Sequence, residues 1–462
     1  MGWNMGPGRD RVKAWELFSR VDGEGAYSNV LVAKGRELYD NKEKSESKSK
    51  CNVTDKVKPA GKTGEEAKIN WDVVQTIVFG TLEKKLLLDY YIDKFLKKDP
   101  KKKGKEIRNI LRLGIYQLIF MNTGSDYGIC NDMVAITKMH FRGFEGLVNG
   151  VLRNVARSRS ELIPPKGEDL KSMSIRYSIG EDIVNLWIRS YGLEKTRELV
   201  ENSCRRAPLF LRVNLRKKSK NEAVRKLISE GVFCHPLADD VSTRAIVVDK
   251  GYEGRVVSSD SFKDGDVSIQ DLASIVAIDK LDIRSNDKVL DMCSAPGGKG
   301  VSAGELASCS NVICWDLFEN KISLIENYAK RCGIENLKAV HHSALDFQEE
   351  FKNAFDKVIL DPPCSGLGVM RRRPEIRYKS VDCADLSKQQ FVMLTLAARY
   401  VKPEGSVLYS TCTVNPQENQ DIIEKFLEDE AGKDFEKSYE RQVFTGECGA
   451  DGFYICVLKR RV

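Results

Sequence analysis

FDKVILDPPCSGLGVMRRRP, residues 355–374, decides the fold. Val358, Ile359 and Leu360 are consecutive, large and apolar. That is the pattern of a parallel strand covered on both faces. The run stops at Asp361, and Pro362 and Pro363 lack the N–H that a sheet ladder needs, so the chain must leave the sheet there. A carboxylate, Asp361, and a thiol, Cys364, thus stand at the carboxyl edge, where α/β sheets bind ligands. A glycine-bearing loop and three arginines, Arg371 to Arg373, come next. Acid, thiol and basic loop together point to chemistry on a polyanion. The arginines are expected to face nucleic-acid phosphate.

Around this stretch strand and helix patterns alternate. Strands are expected at 287–293, 311–315, 338–341, 356–361, 406–411 and 452–459, and helices at 299–308, 319–332, 383–401 and 416–429. Such alternation implies a doubly wound, Rossmann-like α/β domain, assigned to residues 269–462. Residues 161–268 read as linker helices, with a helical stretch at 175–205, followed by a small α+β subdomain with strands at 209–215 and 243–249 and a helix at 219–231. Residues 1–160 read as an all-helical domain, with apolar stripes at 10–36, 71–97, 105–121, 132–141 and 144–158. Residues 40–70 break that pattern with a polar, Lys-, Glu- and Ser-rich insertion. The basic turn KKDPKKKGK, 97–105, reads as a solvated loop between helices, and Pro164 and Pro165 mark a linker.

The totals are permissive. A chain of 462 residues with 42% hydrophobic residues holds several domains with buried cores, and a net charge of +7 allows nucleic-acid binding without demanding it. Thirteen scattered cysteines, no CxxC and only four histidines argue against a structural metal site. No uncharged apolar run reaches about 18 residues, and the start lacks a secretory layout. The expectation is a reducing cytoplasm, no metal and no membrane.

The first strand of the α/β domain ends in DMCSAPGGKG, 291–300. Glycines there allow close approach of a ligand, and a helix starts at once. Asp316 ends the second strand, where an acid can accept both ribose hydroxyls of an adenosyl group. Ser343 follows the third, near where an adenine would lie. Gly298, Gly300 and Ala303 also fit G-x-G-x-x-A, a dinucleotide pattern. Against it stand the proline turn Ala295-Pro296 and a lysine, Lys299, inside the turn. S-adenosylmethionine accounts for the glycine turn, the acid and the downstream thiols together.

Cys412 ends the fifth strand, in SVLYSTCTVNPQEN. A lone cysteine more often serves as a small buried apolar residue. Two thiols that each end a strand on the ligand-binding edge reverse that expectation, and with both strands beside the first they would flank one cavity. Cys293 and Cys314, within or beside strands, read as structural. Paired thiols and an acid suit methylation at carbon: a thiolate adds to C6 of cytosine, C5 becomes nucleophilic, an acid holds N3 and the amino group, and elimination frees the thiol. A base inside a helix would have to be flipped out.

At these residues the chain resembles the RsmB/Sun branch of the Nol1/Nop2/Sun RNA 5-methylcytosine methyltransferases. The matching stretches are VLDMCSAPGGKG, FDKVILDPPCSGLGVMRRRPEIRY, VLYSTCTVNPQEN and GADGFYICVLKR, with RYSIGEDIVNLWIRSYG, PLFLRVN and SIQDLAS ahead of them. LRLGIYQLIFM and FEGLVNGVLRN resemble the NusB-like RNA-binding domain of that branch. The resemblance implies Cys412 as nucleophile, Cys364 as the thiol assisting release, Asp361 at the target base and Lys299 at the active site. It implies that Cys293, Ser294, Ala295, Pro296, Gly297, Gly298 and Lys299, with Asp316 and Asp361, hold the cofactor. Ser343 stands where the family commonly has an aspartate, so the adenine contact there is weaker or comes from Asp346. Implied too are RNA as partner, 16S rRNA first and tRNA as the alternative, no DNA, and a monomer. Two other readings stay open. Amino-group methylation wants an aromatic residue where Cys364 stands. A non-catalytic RNA-binding assembly or antitermination factor would have no need of the cofactor turn, the acid and both thiols.

Overall fold

The chain divides into two compact units, Met1–Asn185 with Arg373–Ser380, and Leu186–Arg372 with Val381–Val462. The computed structural model describes residues 8–24, 31, 69–96, 98–121 and 124–461. Nearly all of the polar insertion at 40–70, and the end of the helix expected at 10–36, lie outside the described residues.

The first unit is helical, with α1 Arg9–Glu24, α2 Trp71–Glu83, α3 Lys85–Phe95, α4 Gly104–Phe120, α5 Asp126–His140 and α6 Glu145–Arg157. α4 is central: Ile107, Ile110, Leu111 and Ile115 on it are fully buried. Close packing demands small residues, and a Cβ at Gly80 of α2 would stand 1.9 Å from the Tyr116 hydroxyl. The stripe expected over 71–97 is two helices, because Lys84 takes a non-helical conformation between them. Arg373–Ser380 belongs to this unit. Its Tyr378 hydroxyl donates to Leu82 O at 2.5 Å and accepts from Lys85 N at 3.2 Å. The stretch expected as helix over 175–205 is likewise interrupted, since Gly192 in Glu181–Ser203 adopts φ +78°, ψ 168°.

The second unit holds two sheets. The smaller comprises β1 Leu209–Val213, β2 Cys234–Pro236, β3 Ala245–Val248 and β4 Val267–Ile269, all antiparallel in the order β2-β3-β1-β4. Its helix Lys220–Ser229 opens on a capping box, Ser219 with Glu222. The larger has seven strands, β5 Val289–Asp291, β6 Val312–Asp316, β7 Leu337–His341, β8 Phe355–Leu360, β9 Val401–Thr411, β10 Phe435–Val443 and β11 Phe453–Arg460, in the order β10-β11-β9-β8-β5-β6-β7. β5 to β9 pair parallel and β11 pairs antiparallel to β9. Helices Gly298–Leu306, Glu319–Cys332, Ala384–Tyr400 and Gln420–Glu428 alternate with these strands. This is a Rossmann-like domain. One expectation needs correcting: β8 lies beside β5, but β9 lies beside β8 and not beside the first strand.

A buried ion pair pins the small sheet to the helix after β5. The Arg212 guanidinium, fully buried, forks onto Glu305 at 3.0 and 2.7 Å and donates to Gly298 O at 3.0 Å and to Gln270 Oε1. Arg244, also buried, donates to Asp279 at 2.8 Å and to Ser302 Oγ at 3.1 Å. Removing one partner strands the other charge in low dielectric. Arg212→Met is therefore expected to cost about 3–5 kcal/mol in urea unfolding of the intact chain, whereas a cost within about 0.5 kcal/mol, as for surface sites, would mean that Glu305 rehydrates freely.

Candidate active site

The parallel register sets Leu360, the end of β8, opposite Tyr409, just before the end of β9 at Thr411. The next residues, Asp361 and Ser410, meet: Ser410 Oγ donates to Asp361 Oδ1 at 3.0 Å. Asp361 Oδ2 receives Lys299 Nζ at 2.6 Å from the first turn of the helix after β5. Beyond both strand ends the sulfurs of Cys364 and Cys412 lie 3.2 Å apart. Four of the residues singled out in the sequence thus gather in one place from three separate strand ends.

Electrostatics divides their roles. The Cys364 thiol is held well above the usual thiol value, first by its hydrogen bond to Cys412, then by burial. Both causes favour the protonated form of Cys364; the contact between the sulfurs itself can run in either direction. Burial pulls the Lys299 ammonium down, but the charge of Asp361 and its hydrogen bond, then Asp291 and Cys412, outweigh that, so it stays cationic. A fixed cation in this position favours anionic oxygen and sulfur around it.

The turn after β5 is tightly built. The Ala295-Pro296 bond is cis and Gly297 has φ +106°. Ser294 N donates to Trp315 O at 2.8 Å, and Ala295 N donates to Asp316 Oδ2 at 3.1 Å. The glycine turn and the acid of β6 are thereby one unit. A Cβ at Gly300 would stand 2.4 Å from Cys314 Sγ and 2.8 Å from Ser294 Oγ. Leu317 and Phe318 beside Asp316 are 57% and 53% exposed. A carboxylate beside an uncovered apolar rim suits an adenosyl group, while the Gly300 contacts show tight packing within the turn itself. Ser343 is tied into its own turn, accepting from Leu345 N at 3.2 Å, while Asp346 N donates to Ser343 O at 3.1 Å. Among the described residues no group of three or more His, Cys, Asp or Glu is placed to hold a metal ion, and no helix is long and apolar enough to cross a membrane.

Comparison with known proteins settles the family. The chain is 30% identical to the "Probable ribosomal RNA small subunit methyltransferase B" of Bacillus subtilis (strain 168), over 97% of this chain and 98% of that protein. It belongs to the ribosomal RNA small subunit methyltransferase B family. Residues 278–459 match the family described as 16S rRNA methyltransferase RsmB/F, residues 34–157 the NusB family, and residues 182–253 the ferredoxin-like domain of RsmF/B-like methyltransferases. It is 26% identical to the ribosomal RNA small subunit methyltransferase B of Proteus mirabilis, over 84% of this chain and 90% of that one. A solved methyltransferase homologue from Pyrococcus horikoshii, 22% identical, shares the fold with a TM-score of 0.56 over 63% of this chain and 98% of that one.

The arginine run departs from its expected role. Arg371 is buried, bound to Asp451 Oδ1 at 2.7 Å and to Ala450 O at 2.6 Å. Arg372 binds Asp451 Oδ2, Pro208 O at 3.2 Å and Asp271 at 3.4 Å. Asp451 binds both, with Asp271 as a second carboxylate at Arg372, so these two guanidiniums brace the loop instead of awaiting phosphate.

Asp291 escaped sequence reading. It ends β5 fully buried, and neither carboxylate oxygen has a hydrogen-bond partner. Burial pushes its carboxyl up to about 7, with Ser294 and Lys299 partly opposing. A carboxyl raised in the folded state gives stability that is complete at acid pH and lost as pH climbs through the folded value. Relative to Asp291→Asn, the native chain should therefore lose thermal stability between about pH 4 and pH 7. Parallel profiles of the two proteins would show that Asp291 ionises without penalty.

Proposed function

We propose that this chain methylates C5 of a cytosine in 16S rRNA through a covalent adduct between Cys412 Sγ and C6 of the base, resolved with help from Cys364. The observation that carries the proposal is the pair of thiols 3.2 Å apart beside the Asp361–Lys299 ion pair. Cysteine 293 to Lys299, with Asp316 and Asp361, would hold S-adenosylmethionine, Asp316 at the ribose and Ser343 or Asp346 towards the adenine. When bound, S-adenosylmethionine supplies an electrophilic methyl group.

The residues of the chain do the rest. Cys412, as thiolate, bonds to C6 and pushes electron density onto C5 and N3. Asp361 orients the base by accepting from its amino group beside N3. Lys299 keeps Asp361 in place and offsets negative charge as the ring accepts sulfur. After C5 has been alkylated, a base takes its proton and the Cys412–C6 bond breaks. The Cys364 S–H, within hydrogen-bond reach of the Cys412 sulfur, stabilises the departing thiolate. The base must be unstacked to reach this pocket. The NusB-like domain supplies RNA affinity, and the chain acts as a cytoplasmic monomer.

Cys412→Ala is expected to lower turnover by at least about 10³-fold and to abolish any covalent RNA adduct, with the fold retained. Cys364→Ala should instead accumulate a protein–RNA adduct that survives denaturing electrophoresis. Normal product from the first variant would sink the assignment of the nucleophile. Absence of adduct from the second would remove the release role. Bisulfite sequencing of RNA from a deletion strain would locate the target, and methylation found on an exocyclic amine by mass mapping would overturn carbon as the acceptor.

A further inference from the structure

The thiols hang from two loops, PPCSG after β8 and TCTVNPQEN after β9, and one buried carboxylate joins those loops. Glu418 and Asn415 are fully buried. Glu418 Oε1 accepts from Ser365 Oγ at 2.5 Å and from Asn415 Nδ2 at 3.1 Å. Its Oε2 accepts from Ser365 N at 2.8 Å and from Gln390 Nε2 at 3.1 Å. Gln390 in turn donates to Pro363 O at 2.9 Å. Two donors converge on each oxygen, which saturates a carboxylate that only accepts.

The hydroxyl directions follow from this. Ser365 gives its proton to Glu418, so across the 2.8 Å contact Thr413 must donate to Ser365. Thr413 Oγ1 then accepts from Asn415 N at 3.2 Å. A single directed chain therefore runs Asn415 N–H, Thr413 O–H, Ser365 O–H, Glu418. Ser365 immediately follows Cys364 and Thr413 immediately follows Cys412. The bridge between the loops lies one residue from each sulfur.

We infer that Glu418 is a positioning residue which, through Ser365 and Thr413, sets the separation of the Cys364 and Cys412 thiols. Its role in turnover rests on the reading of the thiols given above, but its effect on their geometry does not. A glutamine fills the same volume, yet its NH2 must face two donors, so Glu418→Gln breaks contacts without opening a cavity. The thiol separation has a readout that needs no RNA: the equilibrium of the intact chain with oxidised and reduced glutathione, followed by mass mapping of the Cys364–Cys412 cross-linked peptide. In that exchange two protein thiols become one disulfide while one oxidised glutathione becomes two reduced glutathiones, and the equilibrium constant gives the effective concentration of one thiol at the other.

Glu418→Gln is expected to lower that constant at least about tenfold, with S-adenosylmethionine affinity within about twofold of native. Ser365→Ala should have a similar effect, and the double variant should fall little further, as for two members of one network. An unchanged exchange constant in Glu418→Gln overturns the proposal, even if the variant is less stable or less active. So does full additivity of the two substitutions. Should methylation at cytosine C5 prove absent, the exchange constants still decide whether Glu418 positions the sulfurs. Where C5 methylation is present, kcat should fall with the exchange constant while KM for S-adenosylmethionine stays.

Discussion

Two parallel strands ending side by side constrain everything at this site. β8 and β9 run level up to Leu360 and Tyr409; β8 ends there, and β9 continues beside β11 to Thr411 before it too leaves the sheet. Prolines turn the chain out after Asp361, and the directed hydroxyl chain holds the segment after Cys412. Side chains at the two exits have no choice but to meet. The Asp361–Ser410 contact, the thiol pair and the Thr413–Ser365 bridge are three successive consequences of one register. A slip of one residue would turn the strand side chains, Ser410 among them, to the opposite face and separate the two exits.

Charge at this edge is arranged so that the polar groups leaving the sheet do not all need solvent. Lys299 and Asp361 neutralise each other, while Asp291 stands buried behind them and meets its burial by holding a proton up to about pH 7. The small antiparallel sheet contributes from the side. Its Arg212 binds Gly298 O in the turn that carries Lys299, so the ferredoxin-like region acts as a buttress for the active-site turn in addition to any contact it makes with RNA.

What was legible in the sequence was whatever burial writes locally. VIL before DPP marks β8, and apolar runs mark β5, β6, β9 and β11. β10 was invisible because its residues, FEKSYERQV, are mostly exposed at the sheet edge, so neither alternation nor an apolar run distinguishes it. β2 and β4 are three residues each, too short to show a period. The thiols were legible because prolines and polar residues placed them at strand ends. The arginine run was misleading for a different reason: its neutralising partner, Asp451, is about 80 residues away, and no local pattern reports a distant countercharge. Glu418 stood in plain view within NPQEN, but its meaning depends on donors from Ser365 and Gln390, which only the fold assembles.

The closeness of the two sulfurs itself argues for unequal roles. Two thiolates 3.2 Å apart would repel by about 5 kcal/mol at an effective dielectric of ~20, equivalent to several pKa units. The pair therefore loses its two protons at well-separated pH values, and around neutrality at most one sulfur is anionic. Hydrogen bonding and burial hold the proton on Cys364, and Lys299 lies where its charge is felt by Cys412. The asymmetry needs no difference in the intrinsic chemistry of the two cysteines. It follows from where the fold sets each sulfur, Cys364 among the carboxylates of Glu418 and Asp361 and Cys412 within reach of the Lys299 charge.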